Sequence, residues 1–192
     1  EKVPDALDLL KTAVQDSDPS VRREVITALS QFTSVDAFET ALLAYEENMD
    51  DSYSFALRQT CRILSSYWLP SLHTDDLKPK GNHAALIFAL KATEDPRATQ
   101  PLIDFFKNSK KPDLSILTAV GQIGNPEQLD FLAEIASTQG NPHAGEAANG
   151  LLIAAKDRGI FPTKNKNMVL QNLFSSTNEK DHATACTLVG HW

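Results

Sequence analysis

The stretch from Ala28 to Leu43, ALSQFTSVDAFETALL, returns in altered form as ALKATEDPRATQPLIDFF over 89–106 and as AVGQIGNPEQLDFLAEIA over 119–136. Each copy closes one apolar helix, turns through a few polar residues and opens the next. A small residue stands nine positions after the opening alanine in two copies, Ala37 and Ala98. A leucine stands thirteen or fourteen positions after that alanine in all three, at Leu42, Leu102 and Leu132. Self-similarity at a period of about 30 residues in helix-turn-helix units reads as an α-solenoid, in which each unit buries its apolar face only against its neighbours. The expected class is therefore all-α, one repeat domain over 1–192 built from five to six helix pairs.

Upstream of this stretch, Pro4 suits a first helical turn and Ala6, Leu7, Leu10 and Val14 recur at helical spacing, predicting a helix over about 4–15. Asp16-Ser17-Asp18-Pro19-Ser20 is a turn in which Asp18 or Ser20 can cap a helix over about 20–32 that packs Val21, Val25, Ala28, Leu29 and Phe32. The next pair, about 35–47 and 52–66, is expected to bury Phe38, Ala41, Leu42 and Tyr45, then Phe55 or Ala56, Leu57, Cys61 and Leu64. Downstream, helices are predicted near 82–93, 97–108, 113–123, 126–138, 143–157, 165–176 and 179–191, divided by proline- and glycine-bearing turns. Laying Arg23–Phe32 over Arg58–Tyr67 sets a register in which Leu29, Leu64, Leu90, Val120, Ala155 and Val189 are equivalent. The short step between Leu64 and Leu90 spans two prolines, a glycine and a polar run, so the third unit is expected to be degenerate over about 67–81, with Trp68, Leu69 and Leu72 plugging the joint.

Composition bounds function. The net charge is −7, and residues 1–51 hold the whole excess, with twelve acidic against four basic side chains. A negative chain disfavours sequence-independent contact with phosphate backbones, so no nucleic-acid partner is expected. The longest apolar run, Ala84–Leu90, is far short of the roughly 20 residues a membrane helix needs, so no membrane insertion is expected either. The chain opens on Glu-Lys-Val and closes inside a helical pattern, as a segment of a longer polypeptide would.

No catalytic, cofactor or metal residue is assigned. Gly121 and Gly124 follow a helix, lack the lysine of a phosphate loop and are expected to terminate that helix. Cys61 and Cys186 lie on apolar helical stripes and read as buried structural thiols. His182 and Cys186 are four residues apart but find no third ligand, since His191 projects from the opposite side of the same helix. The acidic run Glu46–Asp51 lacks the glycine and terminal glutamate of a calcium loop and reads as a solvated turn ahead of a helix. Arg22, Arg23, Arg58 and Arg62 form the most distinctive polar set. They either recognise an acidic partner or pair with Asp18, Glu24 or Asp51.

Asp18-Pro19-Ser20-Val21-Arg22 resembles the D-P-x-V-R turn of HEAT repeats. The resemblance implies that the proline starts the second helix, the valine enters the core and the arginine pairs with a turn acid of an adjacent unit. It also implies that second helices line a concave face, so that Arg23 and Arg58 share a ledge with Arg62 one turn beyond. The blocks ALRQT, WLP and FALKA between Ser52 and Phe106 are similar to the HEAT array of large bacterial extracytoplasmic proteins that join a dehydrogenase-like propeller to a c-type haem domain. That likeness implies a non-enzymatic interaction or spacer array, extracytoplasmic, contacting a protein partner or neighbouring domains of its own polypeptide. The competing class is an enzyme or nucleic-acid binder on the same scaffold, as in HEAT-like DNA glycosylases or bilin lyases. A glycosylase would need a basic concave face with aromatic and carboxylate groups directed into it.

Overall fold

Several helix starts in this chain are set by short polar side chains. Asp18 accepts from the Ser20 amide at 2.8 Å with Pro19 at the first helical position, Ser34 accepts from Ala37, and Asp50 accepts from Tyr53. Asn125 and Gln128 form a reciprocal capping box at 2.8 and 3.0 Å, again ahead of a proline. Each satisfies amide hydrogens that a helix leaves without partners, which is why boundaries fall at these residues. A computed structural model describes residues 5–73 and 82–192. Every described segment of regular structure is helical. The chain divides into two compact units, 1–93 and 94–192.

The first unit contains α1 (Ala6–Ala13), α2 (Pro19–Leu29), α3 (Val35–Leu42), α4 (Asp51–Ile63), the short α5 (Ser65–Trp68), a 3-10 turn (Pro70–His73) and α6 (His83–Thr93). Helix α4 packs against α2 and α6, and α3 packs against α1 and α5. The core joins Ile26, Leu29, Phe38, Leu57, Leu64 and Leu90, all fully buried. Trp68 closes this core. Its ring stacks on Phe38 with centroids 4.1 Å apart and planes 4° apart, and its indole N–H donates to the Cys61 carbonyl at 3.0 Å. Trp68 and Leu69 are buried as expected and Leu72 is half-buried. Pro4 and residues 74–81 of the expected irregular break lie outside the described residues.

The second unit contains a 3-10 turn (Pro96–Ala98), α7 (Thr99–Asn108), α8 (Ser115–Ile123), α9 (Pro126–Ser137), α10 (Ala144–Arg158), α11 (Lys166–Phe174) and α12 (Glu179–His191). Helix α10 packs on α8 and α12, and α9 packs on α7 and α11. The α8–α10 contact is backbone on backbone: a Cβ placed on Gly121 would lie 2.2 Å from the Gly150 carbonyl oxygen, and one on Gly150 would lie 2.6 Å from that of Leu117. Both glycines are structural necessities here, because no side chain fits between the helices.

Side chains also reach back to the helix two places earlier. The Arg158 Nη1 donates to the carbonyls of Gly121 and Gly124 at 3.1 and 2.8 Å, satisfying the C-terminus of α8. Asn172 donates to the Ala136 carbonyl at the end of α9, and the Thr60 hydroxyl donates to Ile26 within α2. These links span 34 to 37 residues.

Asp130 on α9 holds the loop before α11 by accepting from the Thr163 hydroxyl and from the amides of Thr163 and Lys164, at 2.7 and 2.9 Å for the amides. Burial pushes this carboxyl upward, but the hydrogen bonds outweigh it and the net shift is downward. A lowered folded value means the latch contributes fully above the unfolded carboxyl value of about 3.9 and is lost as pH falls through the folded value. The stability gap between the wild type and Asp130→Asn should therefore be widest near neutral pH and close below about pH 4 in urea titrations. A gap independent of pH would remove the latch from the account.

At single residues the structure decides several expectations. Val21 is 38% exposed rather than in the core, because the buried stripe of Val25, Ile26 and Leu29 is centred about 80° round the helix from it. Phe55 is 58% exposed, and Ala56 is the half-buried residue of that pair. Val189 is 54% exposed while Leu188 is buried, since the inward stripe of α12 runs through Ala185 and Leu188. Gly124 does cap α8, but Gly121 lies inside it and serves the α10 crossing instead. Among the described residues no helix is long and apolar enough to cross a membrane.

Candidate functional site

The arginines separate into two kinds. Arg22, on the inward edge of α2, is clamped: it meets Glu46 at 3.1 Å, donates to the Asp16 and Ser17 carbonyls at 2.8 and 3.3 Å, and donates to the Tyr53 hydroxyl at 3.3 Å. That hydroxyl in turn donates to the Ala44 carbonyl at 2.8 Å. Burial raises the Tyr53 phenol above its ordinary range, and Arg22 offsets part of the rise. Glu46 stands in the turn between α3 and α4, so the Arg22 pair links α2 to the following helix pair. Its side chain is 15% exposed, which removes it from any binding surface.

Arg23, Arg58 and Arg62 are outward. Arg23 touches Glu24 at 3.5 Å and the Ser52 hydroxyl at 3.3 Å. Of the three acids expected to pair with arginine, only Glu24 does so here; Asp18 caps α2 and Asp51 sits in the first turn of α4. Arg58 and Arg62 are exposed one turn apart on α4, the helix that packs on α2. Among the described residues Arg58 forms no ion pair. Phe55 precedes Arg58 by three residues and is more than half exposed, as is Ile63. Residues three and seven apart share one helix face, so Phe55, Arg58 and Arg62 form a mixed aromatic and cationic stripe. The sequence pattern had offered Phe55 as core; its missing signal was the Tyr53, Leu57, Thr60, Cys61 stripe, which turns Phe55 outward.

The remaining candidates carry no chemistry of their own. Cys61 is fully buried and burial pushes its thiol up to about 12, so the nucleophilic thiolate is scarce at neutral pH. Cys186 is exposed, contrary to expectation, because it lies one residue past the inward Ala185. The His182 imidazole sits 2.7 Å from the Ser176 carbonyl. Among the described residues no group of three or more His, Cys, Asp or Glu side chains is placed to hold a metal ion. Asp50 and Glu46 of the acidic run cap α4 and pair with Arg22 respectively.

No family model matches the chain, and no curated protein matches it. It is similar in structure to one engineered protein from a structural genomics consortium, whose crystal structure aligns with a TM-score of 0.42 at 13% identity over 96% of this chain and 95% of that one. Among the described residues every element of regular structure is helical.

Proposed function

We propose that this chain is a non-enzymatic interaction module of HEAT-like α-solenoid type, whose docking surface is the outward stripe of α4 with Arg58 and Arg62, extended by Arg23 on α2. The repeat reading is supported within each unit by alternate packing, α2 on α4 on α6 and α8 on α10 on α12, and by side-chain links that span about one repeat. It is also supported by Pro19 opening α2 and Arg22 reaching the turn acid Glu46, two features the D-P-x-V-R resemblance implies. Within that reading, the short α5 and the 3-10 turn after it stand where a regular first helix would be.

The observation that carries the docking surface is Phe55 beside Arg58: a 58% exposed aromatic next to a guanidinium with no ion pair among the described residues, in a chain whose net charge is −7. Apolar area supplies affinity and the arginines select acidic partners. The partner is accordingly an acidic protein segment that presents apolar side chains between its carboxylates.

A fluorescein-labelled amphipathic peptide of glutamate and leucine is the direct probe. Arg58→Glu with Arg62→Glu should weaken its binding at least about tenfold, because each reversal sets like charges together. Melting should move by less than about 0.5 kcal/mol, as expected of exposed positions. Equal affinity for the wild type and the double variant would rule out this face.

A further inference from the structure

In the second unit, the segments that follow α7 and α9 border an open cavity of about 470 Å³. That volume falls within the range of small-molecule sites, about 300–1,000 Å³. Its apolar wall is aromatic. Phe106 and Phe131 meet edge to face with centroids 5.6 Å apart, and the His143 imidazole meets the other side of this cluster, 5.9 Å from Phe106 at 83°. Phe106 is only 8% exposed, so the wall is anchored in the core rather than carried on a loop.

The rim is cationic. Lys107 and Lys110 stand on it against a single carboxylate, Glu134. The Lys107 ammonium lies 5.3 Å from the centroid of the Phe131 ring, held against the aromatic wall. Among the described residues neither lysine forms an ion pair, although the chain carries more acidic than basic side chains. Two ammonium groups facing one carboxylate above a rigid aromatic wall make a place where one anion and one ring are favoured together.

We propose that this cavity binds a small planar aromatic carboxylate, its ring against Phe131 and Phe106 and its anion at Lys107 and Lys110. Aromatic rings in offset or edge contact suit a flat ring better than an aliphatic chain of equal size. Two lysines less one carboxylate, Glu134, leave the rim with a net positive charge, which favours an anion over its neutral match. This site is independent of the arginine stripe of the first unit, and either assignment can fail without the other.

The test uses 2-naphthoate, followed by its own fluorescence, with 2-naphthalenemethanol as the neutral match. The full chain should bind 2-naphthoate with a Kd below about 1 mM, and the alcohol at least about tenfold more weakly. Lys107→Gln with Lys110→Gln, both exposed positions, should lose the preference for the acid over the alcohol while helicity is unchanged. Phe131→Leu should weaken the acid and the alcohol alike. Failure to saturate below about 1 mM, equal binding of acid and alcohol, or an unaltered preference in the lysine double variant would each overturn the assignment.

Discussion

Replacing Gly121 by valine should lower the stability of the chain by about 3 kcal/mol or more. The first added carbon already lies 2.2 Å from the Gly150 carbonyl oxygen, and backbone cannot swing aside as a lysine tip can. Two effects compete at this position. A side chain in place of a helical glycine gains up to about 1 kcal/mol of helix propensity, and the steric cost must exceed that to show. It does so here because relief requires α8 and α10 to separate along their contact, opening voids around Leu117, Val120 and Leu151, all fully buried. For a chain of this size the loss corresponds to a fall in Tm of roughly 6–12 °C. Gly140 is the control, since a Cβ there meets nothing within 4 Å, although its positive φ of 75° adds a small strain of its own. A Gly121→Val variant that melts with the wild type would mean that α8 and α10 do not cross at these glycines.

Trp68→Ala should cost about 3–5 kcal/mol, the range for deleting a fully buried aromatic. Three contributions point the same way. The cavity would open beside Phe38, which loses its stacking partner at 4.1 Å; the Cys61 carbonyl would lose the indole donor; and the short α5 would keep little else to hold it. Trp68→Phe separates the terms: it restores most of the packing but not the hydrogen bond, so its loss should be nearer 1–2 kcal/mol. Denaturant melts followed by circular dichroism read both variants. A loss below about 1 kcal/mol for the alanine variant would show that the core of the first unit closes without the indole.

Much of this architecture was legible from residues alone, and the reason is that the signals are local. Asp18-Pro19, Asp50 and Asn125-Pro126 act within three residues of themselves, so the helix starts near 19, 51 and 126 could be read without knowing what packs where. The apolar positions Leu29, Leu64, Leu90, Val120 and Ala155 all proved buried, because a stripe repeated at helical spacing has to face a core. Trp68 and Leu69 were recognised as buried for the same reason, as large apolar groups between polar neighbours. The arginine set was visible, but its division was not. Arg22 and Arg23 are adjacent, and only the position of Tyr53 and Glu46, 31 and 24 residues later, makes one a part-buried clamp and the other a surface group. Likewise the aromatic cavity of the second unit was invisible, since Phe106, Phe131 and His143 belong to three separate segments.

Sequence by itself determined that the regular structure among the described residues is helical, where most helices begin, and which side of each is apolar, because caps and periodicity act over one or two turns. Tertiary structure alone decided which edge of an apolar stripe is sealed, leaving Phe55, Val21 and Val189 outside and Leu188 within. It also decided that Gly121 meets Gly150, and that Arg158 completes a helix ending more than thirty residues earlier. These outcomes depend on the angle and height at which one helix rests on another, and that geometry is set by the summed shape of side chains distant in the chain, which no local pattern records.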